Sequence, residues 1–240
     1  MTESRASRSA YDAWHTRVAA SPALDTPWHR LVQDALTPDA DLNGRRVLEI
    51  ACGRGELAEW CASRFNPALL VAADFSATAV RLARTRFAST NGSHGVVRFM
   101  QADALGIPLL TASIDTVICC ETIEHVPAPR AALRELARVL RPGGRLFLTT
   151  PNYFGPIGAY RAYMRLTGRQ FTEEGQPINH FLLAAQVRHW LRSVGLRIRK
   201  AQSSGHYLPF PGRPPILLLD SARWLSPFGL HALTVAEKPR

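Results

Sequence analysis

Glu49-Ile-Ala-Cys-Gly53-Arg-Gly55-Glu-Leu-Ala58 is the stretch on which the fold turns. An apolar run at 45–50 leads into it and reads as a strand, and 56–65 leads out of it and reads as a helix. Glycine at 53 and 55 lets the backbone turn tightly and approach a ligand closely. Working outward, 69–73 reads as a second strand and 76–88 as a second helix with Ser76 as its N-cap. Strands follow at 96–101 and 116–120. A helix at 129–140 is stopped by Pro142-Gly143-Gly144, and 145–150 is the next strand. Alternation of this kind predicts a parallel sheet covered on both faces, a doubly wound α/β fold. On the near side, 1–10 reads as frayed and 28–36 as a short helix. On the far side, 151–183 has no strand pattern and reads as an insertion over the carboxyl ends of the strands. A helix at 184–194, a strand at 196–201, a Pro-rich stretch, a short helix at 217–225 and a strand at 230–236 complete the chain.

The 240 residues suit one domain, and 46% hydrophobic with 20% charged residues excludes a fully disordered chain. Apolar runs fall short of the roughly 18–20 residues that a membrane span needs; Ile216-Leu217-Leu218-Leu219 stops at Asp220. The first residues lack the hydrophobic core of a secretory signal. Cys52, Cys61, Cys119 and Cys120 form no CxxC pair, so a reducing, cytoplasmic setting is expected. The net charge of +10 raises the question of a nucleic acid or an anionic membrane. All but Lys200 and Lys238 of the 29 basic residues are arginine, spread without a dense block, which weakens that reading.

In a doubly wound sheet ligands sit beyond the carboxyl ends of the strands. Gly53-x-Gly55-x-x-Ala58 with Asp74 about 20 residues later fits a dinucleotide fingerprint, so a nicotinamide-dependent oxidoreductase has to be weighed. Against it stand three carboxylates at three strand ends: Glu49, Asp74 and Asp103. They suit a ligand with an amino acid part, a ribose and an adenine, and they would repel a pyrophosphate.

That set resembles the class I S-adenosylmethionine-dependent methyltransferases. Val47-Leu-Glu-Ile-Ala-Cys-Gly-Arg-Gly55 matches the first motif of the family and Val71-Ala-Ala-Asp74-Phe-Ser76 the second. Gln101-Ala-Asp103-Ala104 matches the third, and Leu140-Arg-Pro-Gly-Gly-Arg-Leu-Phe-Leu148 the turn into the fifth strand. The resemblance implies a Rossmann-like sheet of seven strands, a helical N-terminal cap at 1–43, a cofactor-binding core at 44–150, a lid at 151–183 and the rest of the sheet at 184–240. It implies S-adenosylmethionine held by Glu49 at its amino group, by Asp74 with Phe75 at the ribose and by Asp103 at the adenine. Gly53 and Gly55 admit it, and Ala104 and Cys120 add contacts. Ala51 stands where the family has its first glycine, and a positive φ there would cost about 1 kcal/mol.

After the fourth strand, Glu121, Glu124 and His125 are spaced i, i+3 and i+4, one face if the turn is helical. Two hard oxygens and an imidazole on one face bind a divalent cation, Mg²⁺ before Mn²⁺ or Zn²⁺. The bland alternative is a helix start with acids at its dipole and a histidine packed below the cofactor. The Glu-x-x-Glu-His run is similar to the metal-binding run of the ubiquinone-pathway O-methyltransferases and of the small-RNA 2′-O-methyltransferases. The latter resemblance extends to Thr150-Pro-Asn-Tyr153 and makes His180 a fourth ligand. Without a metal, His125 or His180 is the expected base.

The expected reaction is O-methylation of a small hydroxylated metabolite: a phenol, a quinone precursor or a sugar. RNA is the alternative acceptor, and a ligand-binding module without turnover the non-enzymatic one. Tyr11, Trp14 and Trp28 in the cap suit closure over something small. Arg161, Arg165 and Arg169 recur every four residues; a lid helix, a solvated face and a peripheral membrane contact through 155–170 compete, with the lid favoured. The cysteines lack the Pro-Cys setting of a methyltransferase nucleophile and read as buried structural residues. No obligate protein partner is expected.

Overall fold

The computed structural model describes residues 2–18, 26–89, 96–169, 175–210, 213–219 and 227–240. Five strands, β1 (Arg46–Ile50), β2 (Leu69–Asp74), β3 (Val97–Gln101), β4 (Ile114–Cys120) and β5 (Leu140–Pro151), are followed by β6 (Arg197–Ser204), β7 (His206–Phe210), β8 (Arg213–Leu219) and β9 (His231–Glu237). The helices are α1 (Thr2–Val18), α2 (Pro27–Gln33), α3 (Glu56–Arg64), α4 (Ala77–Ala88), α5 (Pro129–Val139), α6 (Pro156–Leu166) and α7 (Ala184–Ser193). Seven strands form one sheet in the order β3-β2-β1-β4-β5-β9-β6. β1 to β5 pair in parallel, and β9 runs antiparallel to both of its neighbours. The doubly wound seven-stranded architecture expected from the sequence is the one observed.

Alternation along the central strands builds two cores. Leu48 and Ile50 of β1 join Val117 and Cys119 of β4 under α5 and α7. Val47 and Ile118 turn the other way, against α2, α3 and α4. Strands buried on both faces are the reason these segments read as near-continuous apolar runs. Glu49 lies between Leu48 and Ile50 in β1, a carboxylate set into a strand whose other inward residues are apolar.

Several expectations are corrected. The segment 1–10, expected to fray, is helical from Thr2, because α1 is held by contacts made to the rest of the fold. β5 begins at Leu140, where a stop was expected: Gly143 takes φ +78° and the ladder to β4 absorbs an irregularity between Ile114 and Thr116. The helix expected at 217–225 is a strand over its first part, β8, paired with β7 in a separate hairpin; 220–226 lie outside the described residues. α6 ends at Leu166, so Arg169 lies beyond it. Arg161 and Arg165 share a face of α6, as their spacing predicts, and the Arg161 guanidinium covers the Tyr153 ring at 4.3 Å and donates to Asn179 O at 2.8 Å.

Candidate active site

The carboxyl ends of β1, β2, β3 and β4 meet where the strand order reverses, between β1 and β4. At the end of β1 the chain takes three left-handed steps: Ala51 (φ 59°), Gly53 (φ 53°) and Gly55 (φ 78°). Ala51 does adopt the strained conformation that its family position demands. Among the described residues nothing lies within 4 Å of where a Gly53 side chain would begin, whereas at Gly55 it would meet Ala83 of α4 at 3.0 Å. Gly53 therefore keeps a space open, and Gly55 lets α3 and α4 approach.

Asp74, at the end of β2, fixes this turn. Its Oδ2 accepts from Gly53 N at 2.9 Å and its Oδ1 from Ser76 N at 2.8 Å. Burial pushes its carboxyl up to about 6 although both amides favour the anion. Glu49 is pushed further, to about 8, first by burial and then by the negative charges of Glu56 and Asp74. Its Oε2 is buried and has no hydrogen-bond partner among the described residues. The pocket is thus built from carboxylates whose charge burial disfavours, and a cationic ligand group would relieve both causes. At the end of β3, Asp103 closes a turn, with Leu105 N donating to its Oδ1 at 2.8 Å and Gly106 N to its carbonyl at 3.0 Å. Ala104 is buried beside it.

α1 lies across these strand ends. Tyr11 donates its hydroxyl to His125 O at 2.9 Å. Asp12 Oδ1 accepts from Ser76 Oγ at 2.5 Å and Thr78 N at 3.0 Å. His15 Nε2 stands 4.0 Å from Asp74 Oδ1, and burial pushes His15 down to about 4, so the ring is neutral there. Phe75 packs edge-on against Tyr11, with the Arg8 guanidinium 5.0 Å over its ring. Asp12 and His15 were not singled out in the sequence, because their role depends on where α1 lands.

Beyond β4 the expected shared face is absent. Only Ile123–His125 forms a turn of 3₁₀-helix, and Glu121 precedes it in the left-handed region at φ 42°. Glu121 Oε2 instead faces His231 Nδ1 at 3.4 Å. His231 begins β9, and because β9 is antiparallel its first residue stands at the edge where the parallel strands end. A search confined to residues following strands misses it; Trp28 packs against its ring at 5.0 Å.

His125 Nδ1 lies 2.6 Å from Ile178 O and His180 Nε2 2.9 Å from Val126 O. A carbonyl only accepts, so each of these nitrogens carries a proton. His180 N also donates to Glu124 O at 2.8 Å, tying the strap around His180 to the turn. Burial holds His125 below its ordinary pKa, and Glu124 Oε1 sits 3.6 Å from its Nε2. Among the described residues no three His, Cys, Asp or Glu side chains are grouped to hold a metal ion. Cys120 is half-buried and Cys119 buried, with both thiols pushed up by burial, as structural cysteines are.

A methyltransferase-domain model matches residues 48–148. The chain is 32% identical over 217 residues to a ubiquinone biosynthesis O-methyltransferase of Xanthomonas oryzae pv. oryzae, a match covering 86% of this chain and 81% of the relative. A ubiquinone biosynthesis O-methyltransferase of Xylella fastidiosa is 29% identical over 214 residues, covering 83% and 81%. Among solved structures, a chain of the complex formed around the Trm112 methyltransferase activator of Haloferax volcanii aligns with TM-score 0.70 at 20% identity, over 97% of both chains. An S-adenosylmethionine-dependent methyltransferase of Mesorhizobium loti aligns with TM-score 0.63 at 15% identity, over 89% of this chain and 99% of the other. The last two show the fold, and the first two, with the domain match, decide between the nicotinamide and methyl-donor readings of the glycine-rich turn. The chain belongs to the class I S-adenosylmethionine-dependent methyltransferases, and methyl transfer from that cofactor is its activity.

Proposed function

We propose that the chain methylates a hydroxyl oxygen of a small acceptor and that His125 takes the acceptor's proton. Support for an oxygen acceptor comes from relatives bearing the name O-methyltransferase. The single observation that carries the site assignment is the buried Glu49, placed with Asp74 and Glu56 so that a cation is the missing partner. S-adenosylmethionine, when bound, supplies an electrophilic methyl on a sulfonium and an ammonium for Glu49. Asp74 then holds the ribose hydroxyls and Asp103 the adenine amino group, while Gly53 leaves room for the cofactor's backbone. Ala51, Phe75, Ala104 and Cys120 line the same pocket.

The chain's own contribution to chemistry is orientation, exclusion of water and removal of one proton. The Nδ1–H bond to Ile178 O fixes the His125 ring with its lone pair on Nε2. Burial keeps the ring neutral and ready to accept at neutral pH. Once Nε2 is protonated, Glu124 Oε1 at 3.6 Å offsets the new positive charge. His180 positions the turn through its bonds to Val126 O and Glu124 O. This reading needs no divalent cation: Glu121 faces His231, and Glu124 is left to the His125 ring.

His125→Asn is expected to lower kcat by about 10²-fold or more, the range for loss of a general base, with S-adenosylhomocysteine binding unchanged. The native enzyme should keep its turnover after exhaustive chelation. Turnover lost on chelation and restored by Mg²⁺, or a His125→Asn variant at full rate, would contradict the assignment.

A further inference from the structure

α1 rests on the strand ends with one face, and the residue it buries there is a histidine. Tyr11, His15 and Val18, spaced i, i+4 and i+7, share that face. At one end Tyr11 donates to His125 O at 2.9 Å, and at the other Val18 O accepts from Arg54 of the glycine turn at 3.3 Å. His15 lies between them at the end of β2, and among the described side chains of α1 it alone is buried. A helix lying on a fold ordinarily buries apolar residues, and a buried imidazole calls for a hydrogen bond.

The His15 Nε2 faces Asp74 Oδ1 at 4.0 Å, too far for such a bond. An ion pair does not replace it at neutral pH, because burial pushes His15 down to about 4 and the ring is neutral. Facing a carboxylate, the Nε2 of a neutral ring carries its proton. Asp74 Oδ1 accepts one amide, from Ser76, and has a second lone pair to offer. A donor and an acceptor thus stand across a gap of one atom. An oxygen about 2.8 Å from both sees them about 90° apart, an angle that a hydroxyl tolerates while it accepts from one and donates to the other. Of the groups on S-adenosylmethionine, the ammonium only donates and the carboxylate only accepts. The ribose hydroxyls do both at a single atom.

We infer that His15 is a cofactor-binding residue: its Nε2–H donates to a ribose hydroxyl that in turn donates to Asp74, so that α1 closes the nucleoside part of the site. The inference rests on the reading of Asp74 as the ribose-binding carboxylate.

Isothermal titration calorimetry with S-adenosylhomocysteine and its 2′-deoxy and 3′-deoxy analogues tests this, on the native protein and on His15→Ala, His15→Gln and Asp74→Asn. His15→Ala is expected to weaken S-adenosylhomocysteine by about fivefold to tenfold, the loss of one hydrogen bond. That penalty should vanish against the one analogue that lacks the bridging hydroxyl, whose binding also shows the variant to be folded. His15→Gln, which sets an amide nitrogen close to the place of Nε2, should recover most of the affinity. Native affinity for S-adenosylhomocysteine in His15→Ala would overturn the inference. So would an equal loss for all three ligands, the mark of a residue that only packs α1. Native affinity in Asp74→Asn would overturn the ribose reading of Asp74, and the inference with it.

Discussion

At the scale of single residues, Glu49 sets the character of the site. A carboxyl held at about 8 in the fold and at 4.5 when exposed favours folding while it is protonated, and that contribution is lost as pH rises towards 8. Asp74 acts with the same sign but its window ends near 6. His15, depressed to about 4 from 6.5, has the opposite sign, adding stability as pH rises to 6.5 and nothing above it. Between pH 6.5 and 8 Glu49 therefore stands alone among these three groups, and the unliganded protein should lose on the order of 1–2 kcal/mol, a few degrees in Tm. Glu49→Gln should flatten that slope, and S-adenosylhomocysteine should raise Tm more at pH 8 than at pH 6.5. A slope unchanged in Glu49→Gln would show that the charge lies elsewhere. The placement of Glu49 and Asp74 in the ends of apolar strands, and of Asp103 just after one, was legible because those strands read clearly in order. Glu121 was not, because a backbone φ of 42° separates it from Glu124 and spacing alone cannot reveal that.

Between β1 and β5 the sequence was legible element by element, since strands buried on both faces and stopped by glycine leave little ambiguity. Ser76 was expected as the cap of α4, and it accepts from Ala79 N at 3.1 Å. Elements whose order comes from tertiary contacts were not legible. α1 has a Ser/Arg-rich start that gives little helix signal and owes its place to Tyr11 and Asp12. The β7–β8 hairpin was hidden by Pro209, Pro211, Pro214 and Pro215, which punctuate sequences more often than they build strands; a two-stranded hairpin outside the main sheet tolerates them. The anchoring of α1 gives a prediction at this scale. Asp12→Ala removes the acceptor for Ser76 Oγ and Thr78 N, so amide exchange across 2–18 should accelerate about tenfold, on a lost hydrogen-bond contribution of about 1 kcal/mol or more. Exchange in β1 and β4 should stay as it was. Equal acceleration throughout would mean global destabilisation and not release of one helix.

For the whole molecule, two layers of helices over a sheet with a reversal of strand order open a crevice at that reversal, and the carboxylates, the glycine turn and α1 all converge on it. The same topology explains why the end of β9 nearest the site is its beginning, and why His231 entered unannounced. Fold alone does not fix chemistry; the acceptor atom decides the reaction. Turnover with S-adenosylmethionine labelled with ¹³C in the methyl group, offered small hydroxylated aromatic and sugar pools, amines and RNA together, tests it most directly. The predicted result is label in a methoxy carbon of a small molecule, lost in His125→Asn. Label on nitrogen or carbon, or label confined to RNA, would contradict the account.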